Sequence, residues 1–596
     1  MKFHLQLSAG IALGQLCFSG PATSAELPWQ DAGLSELEAA AFVLDRLTYG
    51  ARPGDIDRVL EIGIEQWLAE QLAGDDPEAE LEVRLADYEA LGMSHGQLGR
   101  RYPGGLQMSA HLRRFHPGVI PGRGELVLDF SVVRAIVNEF REANGFLFQE
   151  HELRAQLVNQ KVDRAVYAEN QLREVLTDFW QNHFFTSPAS FRARMWVLPF
   201  EGEAIRPNAL GDFRTLLGAV SKHPAMRSYY AGNEQPSELA PGDSTLDMII
   251  AEKAAEPGAA TIAEALRARA ESEVVALEYD DDLVLSREFW AKTGPNLSYA
   301  DALTRLQTLG PDTNLSNADL LGVARAFTGW STMPVGPSEG WYERGFHDAL
   351  EVGFVLEDSF LFRADLHDGR PKSVLGLQLP AGGGVEEGER VLDMLAAHED
   401  TARHIARKLA IRFVADEPAA SLVERLARSF ADSEGYIAAV MGTLVESPEF
   451  WAAAGDRDKV KTPLEYVASA LRSVEAEVES PDAVVEWLTR MGQPLYTYLV
   501  ATGFPDKGSY WLDSAAIVQR MNFAQQLLAN EIEGIEVPSP TATPDIDTLA
   551  ATVLPGRDLD DTIETLGEAY AGAGAGRGGQ AEITAMLIAS PQFQLR

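Results

Sequence analysis

Apolar residues recur at helical spacing through most of the chain. Leu37, Ala40, Ala41, Leu44 and Leu47 fall on one face of a segment opened by the capping-box pattern Ser35-Glu36-Leu37-Glu38. Pro53 starts a second segment, and Ile64 to Leu72 continues the period. The same spacing predicts helices over about 129–142, 148–167, 169–184, 208–220, 386–397, 400–414, 419–431, 434–446, 462–477 and 512–530. Ser316-Asn317-Ala318-Asp319 opens another, with Gly329 placed to stop it. Strict alternation is local: Glu351 to Phe362 alternates and is rich in Val, Phe and Leu, as a hairpin is. The pattern predicts a mainly α fold, a multi-helix globular array with a small β-hairpin insertion around 335–385.

Breaks in the pattern divide the chain. Residues 232–245 are rich in Pro, Gly, Ser and acid, 534–545 carry Pro538, Pro540 and Pro544, and 571–579 alternate Gly and Ala; all three read as linkers or loops. No internal repeat of convincing period is visible. The expected organisation is a signal peptide at 1–25, an N-terminal helical region at 26–230 and an insertion at 231–294. A central helical region with the β insertion follows at 295–532, then a linker and C-terminal helices at 533–596. A length of 596 residues suits about three or four domain-sized units.

The first residues change the picture of where the protein works. Met1-Lys2-Phe3-His4 is a short basic start, Leu5 to Phe18 is mostly apolar, and Pro21 to Ala25 ends in small residues. This is the layout of a secretory signal cleaved after Ala25, so a periplasmic or secreted protein is expected. No later segment is long and apolar enough for a transmembrane helix. Cys17, the one cysteine, lies in that signal. The mature chain would hold none, which excludes disulfides, iron–sulfur clusters and thiol catalysis.

Composition is ordinary, with 46% hydrophobic and 23% charged residues, but the net charge is −39. Removing residues 1–25 leaves 49 basic against 89 acidic residues, or −40. Such a surface repels nucleic acid and anionic lipid. The acids are spread along the whole chain, as in adaptation to a salty habitat, where screening tolerates self-repulsion.

Candidate chemistry centres on Phe179-Trp180-Gln181-Asn182-His183-Phe184, which sets polar groups among bulky aromatics. His183 suits a metal ligand or a general base; the plainer reading is a buried imidazole bonded to a backbone carbonyl. His367-Asp368 suits a ligand pair or a turn in which Asp368 bonds its own backbone before Gly369. His347-Asp348 repeats the dipeptide and reads as a loop. In the helix from His398 to Arg412, Arg403 and Arg407 lie four apart, as do His404 and Lys408, and Lys408 and Arg412. Arg403, Arg407 and Lys408 could hold a phosphate, sulfate or uronate, although a solvated stripe paired with acids is the commoner case. Asp312 to Ser316 has three calcium-loop spacings but lacks the turn Gly and the bidentate Glu. Asp280-Asp281-Asp282 reads as a solvated acidic loop. There is no His-Glu-x-x-His motif, Gly-x-Ser-x-Gly elbow, phosphate loop or dinucleotide fingerprint.

These blocks follow one another in an order that resembles the bacterial domain-of-unknown-function 1800 family. The resemblance rests on Asp45-Arg46-Leu47-Thr48-Tyr49-Gly50, Gly63 to Leu68, the 179–184 block, Ile205-Arg206-Pro207, His223-Pro224-Ala225-Met226 and Ala324-Arg325 to Trp330. It continues through His367-Asp368-Gly369 with Lys372, Thr401-Ala402-Arg403, Ser447-Pro448-Glu449-Phe450, Pro463 to Tyr466, Trp511-Leu512 and Ser590-Pro591-Gln592-Phe593. It implies a secreted or periplasmic, mostly helical protein. It also implies an exported partner similar to the alkaline phosphatase and sulfatase fold. Trp180, Asn182, Arg206, Asn296, Arg325 and Lys372 become structural or site candidates on this footing.

One block departs from the family pattern. Acids expected there are replaced by Leu297, Ala302 and Arg305. They would have been the natural partners of His183 and His367 at a divalent metal. Two functions are therefore expected in contest. One is an exported binding or assembly partner of another exported protein or envelope polymer. The other is a metal-assisted enzyme acting on an extracellular substrate through His183, His367 and Asp368.

Overall fold

Most of the expected helical periods become helices, some opened by a side-chain cap and others without one. In the computed structural model, the described residues are 27–103, 108, 112, 130–145, 147–190, 193–231, 239–255, 294–333, 353–538, 545–557, 559–573 and 577–596. Ser35 closes its capping box with Glu38 and opens the helix Glu36–Leu47. Helices Phe130–Ala143, Glu150–Tyr167, Gln171–His183, Val385–Ala396, Glu399–Phe413, Ala420–Asp432, Ile437–Val445 and Ser514–Leu528 stand within a few residues of their predicted bounds. Ser316 accepts the Asp319 N–H at the start of Asn317–Ala326. Gly329 follows that helix at φ +78, where the chain turns into a strand.

Two segments differ from expectation. The Gly/Ala run at 571–579 is not a linker throughout: helices Asp560–Ala573 and Arg577–Ala589 take in both its ends. Alanine's helix propensity outweighs the cost of interspersed glycine there. The predicted 208–220 helix begins only at Phe213, where Asp212 supplies the cap. Residues 280–282 and His347-Asp348 lie outside the described residues.

Strands among the described residues are short, and most lie between 330 and 379; Glu477–Val478 pairs with Ile535–Glu536 elsewhere. β1 (Trp330–Thr332), β2 (Val355–Glu357) and β3 (Phe360–Phe362) form an antiparallel sheet in the order β1-β3-β2. Phe362 is opposite both Trp330 and Val355. Asp358, at φ 49, makes the β2–β3 turn. β4 (Lys372–Val374) and β5 (Leu377–Leu379) form a separate hairpin. The fold is mainly α, as the pattern predicted.

A single large apolar core runs from Leu27 to Phe593. Arg46, in the first described helix, donates to the carbonyl of Val414 at 2.8 Å. Asp45 pairs with both Arg457 (2.8 Å) and Arg557 (2.9 Å). The helix Glu36–Leu47 is thus clamped to the second half of the chain. No helix among the described residues is long and apolar enough to cross a membrane.

Candidate functional site

The Asn-His pair of the aromatic block splits between two jobs. His183 closes the helix Gln171–His183 with its ring packed on Trp180 and Phe184. Its Nε2–H donates to the Gln307 carbonyl at 3.0 Å. The His404 ring lies 6.0 Å away and donates to the neighbouring Leu306 carbonyl at 3.2 Å. Together they cap the π-helical turn Ala302–Leu306. Burial pushes His183 well below an ordinary imidazole, with Lys408 and His404 adding to it, and burial brings His404 to about 4. Both rings are neutral donors near pH 7. Trp180 is occupied in the same way, its indole N–H donating to Ala209 O at 2.9 Å.

His367 lies in a different, wholly buried place. Its Nδ1 meets the Thr328 carbonyl at 2.7 Å and its Nε2 faces Glu387 Oε2 at 3.1 Å, an oxygen that also holds the Lys372 ammonium. Asp368 is gripped by Arg325 (2.7 Å) and Arg370 (2.8 Å). Burial alone would raise its carboxyl; the hydrogen bonds from Arg370 and Arg325 override that and hold it well below the usual range. Lys372, Arg325, His367 and Asp368 thus tie the helices Asn317–Ala326 and Val385–Ala396 to the β4 hairpin. The structure does not bring His183 and His367 together: their rings have no hydrogen-bonding or ring neighbour in common. In the block where the resemblance led acids to be expected, Ala302 is buried in the π turn and Arg305 pairs with Asp301 at 3.0 Å. Asn296 caps the short helix before it, accepting the Tyr299 N–H and donating to Tyr230 O.

The basic stripe also divides. Arg403 is shared among Glu399, Asp400 and Glu424, and Arg407 stands 3.8 Å from Glu417, all on the surface. Lys408 faces the other way, 3.6 Å from Asp506 at the edge of a cleft. Arg412, one turn on, is buried and lines that cleft.

The cleft is where the remaining half of the pair works. Asn182 accepts the Phe504 N–H (2.7 Å) and donates to the Phe504 carbonyl (2.8 Å), pinning a loop over the helix that carries Asp178 and Gln181. Gly503 makes this fit possible: its φ is +69, and a Cβ there would lie 2.3 Å from Asn182 O. Lys459 donates to Asp506 O and Asp416 accepts the Gly508 N–H, fixing the same loop further along. The cleft has about 540 Å³ of empty space counted to its open mouth.

Its floor is an ion network. Lys161 Nζ stands 3.1 Å from both Asp178 and Glu201. Glu201 also accepts from Gln160 (2.7 Å), Tyr496 (2.6 Å) and Arg206 (3.1 Å). Burial would raise Glu201, but Lys161 and Arg206 outweigh it and hold the carboxyl at about 2. Arg206, one of the sequence candidates, continues to Glu174. Arg412 bridges Asp178 (3.7 Å) and Glu465 (2.9 Å). Besides Arg412, which is ion-paired although its Nε and Nη2 make no hydrogen bond, two polar groups on the walls are left without partners: both amide atoms of Gln181 and the indole N–H of Trp511 are buried and unbonded. Sequence reasoning missed Lys161, Asp178, Gln181 and Trp511 as site residues. Gln181 sat inside the aromatic block, and its polarity among Trp and Phe was the signal available.

A second cluster was invisible in sequence. His95 Nε2 (2.8 Å) and His223 Nε2 (3.5 Å) face the same Glu203 oxygen, and the three ligating atoms lie within 4.8 Å of one another. Two His and one Glu make a plausible metal set by composition. The hydrogen bonding argues against it. His223 Nδ1 accepts the Ala225 N–H at 3.1 Å as a helix cap. In the neutral ring the proton therefore sits on Nε2, which has no lone pair to give a metal. Burial lowers His223 to about 4, keeping that neutral form. The cluster is a carboxylate facing two imidazole edges.

A family model described as protein of unknown function (DUF1800) matches residues 42–595. Comparison with curated proteins and with solved structures gives no match.

Proposed function

The chain belongs to that family over nearly its whole length, and from this premise we propose that it is an exported binding or assembly partner of another exported protein. The reading is carried by an apolar surface that a lone chain does not need. Seven of the eleven large hydrophobic side chains exposed among the described residues fall between 499 and 521. Leu499 is 95% exposed, and Val500, Tyr510 and Leu512 follow on the same loop. In the helix Ser514–Leu528, Ala516, Arg520, Phe523, Ala524 and Leu527 face the core, while Ile517, Val518 and Met521 form a second apolar stripe facing solvent. Clustered exposed apolar side chains mark an interaction surface more often than scattered ones do. A net charge of −39 opposes pairing with a second copy, so the occupant is a different chain. Export rests on the Met1–Ala25 pattern.

The first partner to test is an exported protein of the alkaline phosphatase and sulfatase type, as the family resemblance suggests. The purified mature chain and that protein are expected to co-sediment as a defined complex. Ile517→Glu with Met521→Glu is expected to abolish the complex without lowering thermal stability. No complex, or one indifferent to the pair of substitutions, overturns the reading.

A further inference from the structure

We infer that the cleft under residues 503–511 is a binding site for the uncharged, hydroxyl-bearing end of a glycan chain. The loop over it also carries Tyr510 and Leu512 of the docking face, but the inference does not depend on that reading. Gln181 and Trp511 are 4% and 3% exposed, and their amide and indole groups line the cleft with no partner. A buried polar group left unbonded is destabilising, because it has given up water without gaining a partner. Nearby, Asn182 is matched to Phe504 and Tyr496 to Glu201, and Arg412, although its Nε and Nη2 make no hydrogen bond, is ion-paired with Asp178 and Glu465. What satisfies Gln181 and Trp511 must accept from an indole N–H and both donate to and accept from an amide. Adjacent hydroxyls do this, since each is donor and acceptor at once.

Charge narrows the class. The cations at the cleft already face carboxylates: Lys161 and Arg412 flank Asp178, Arg412 also pairs with Glu465, and Lys408 meets Asp506. A phosphate, sulfate or uronate would have to displace a carboxylate, and a cation would meet Lys161 and Arg412. A neutral ligand pays neither penalty. Phe185, Phe504 and Trp511 supply ring surface of the kind that packs on the C–H faces of a sugar. Size narrows it again. About 50 Å³ of the space is accessible to water, room for the edge of a ring or a terminal hydroxymethyl, within a cleft open to about 540 Å³. The bonds from Asn182, Lys459 and Asp416 hold the overlying loop in place before any ligand arrives, which limits the ordering cost of binding.

The test is calorimetric titration of the mature chain with cellotriose, maltotriose and chitotriose. Trigalacturonate and inorganic phosphate are the charged controls. At least one neutral trisaccharide is expected to bind. Gln181→Leu and Trp511→Phe each remove a hydrogen-bonding group while keeping bulk, and each is expected to weaken binding about tenfold with the melting temperature retained. A charged probe binding in preference to all three neutral ones overturns the proposal. So does binding that ignores both substitutions, or no binding at millimolar concentration. A crystal structure with neutral sugar present, in which only ordered water meets Gln181 and Trp511, also overturns it.

Discussion

Asn182 and His183 are adjacent at a helix end but bond to different segments, Phe504 and Gln307, and their environments give them different tests. Asn182 makes a two-way bond to the backbone of Phe504. Asn182→Ala leaves the Phe504 N–H and carbonyl without their partner, and a loss of roughly 1–3 kcal/mol is expected from urea denaturation. Hydrogen exchange at 503–506 is expected to rise by more than that global loss explains. His223 gives a pH signature. Its folded pKa of about 4 lies below the ordinary value of 6.5, so the unfolded chain binds the proton first as pH falls. Stability is then present above pH 6.5 and is lost as pH drops from 6.5 towards 4, at up to about 1.4 kcal/mol per pH unit for one group. His183 and His404 act in the same direction. His223→Asn keeps a side-chain cap for Ala225 while removing the titrating ring. Melting temperatures from pH 7 to pH 4 are expected to fall less steeply in this variant; an unchanged slope would show that the ring does not titrate in this window.

Helices were legible because their information is local: an apolar face every three or four residues and a cap at the start. The capping boxes at Ser35 and Thr462 and the Ser316 cap are written within four residues of sequence. The ion network is written nowhere locally. Lys161 pairs with Asp178 and Glu201, Glu201 with Tyr496, and Arg412 with Glu465, so its members come from helices brought together only by folding. Sequence could show that Arg412 shares a face with Lys408; it could not show that one turn separates a surface charge from a buried one. The same limit applies to His95, Glu203 and His223. The elements meeting at Lys161 are expected to depend on it together. Lys161→Met leaves Asp178 and Glu201 without their shared cation, and a cost of roughly 3–5 kcal/mol is expected. Lys161→Met combined with Glu201→Gln removes one of the stranded charges and is expected to recover part of that loss. A double-mutant cycle in urea checks this, and additive losses would refute a shared network.

At the scale of the whole molecule, the sequence speaks more directly about charge than about contacts. The apolar residues of 499–521 have the composition of a core strip, and only the fold shows that Ile517, Val518 and Met521 lie opposite the face that Ala516 and Phe523 bury. Net charge needs no fold to be counted. With 89 acidic against 50 basic residues, many basic side chains are already paired, so the excess is carboxylate that repels its own kind. Buried pairs such as Arg412–Glu465 are little affected by salt, whereas exposed carboxylates a Debye length apart are screened. That length shrinks from about 10 Å at 0.1 M to about 3 Å at 1 M. Adding sodium chloride should therefore relieve more repulsion than it weakens attraction. The melting temperature of the mature chain is expected to rise by roughly 2–5 °C across that range. Potassium chloride should match sodium chloride, because screening depends on ionic strength and not on which cation provides it. A flat or falling melting temperature would mean that surface pairs such as Arg403–Glu424 contribute more than the excess carboxylates cost. The acidic surface would then stand for something other than tolerance of salt.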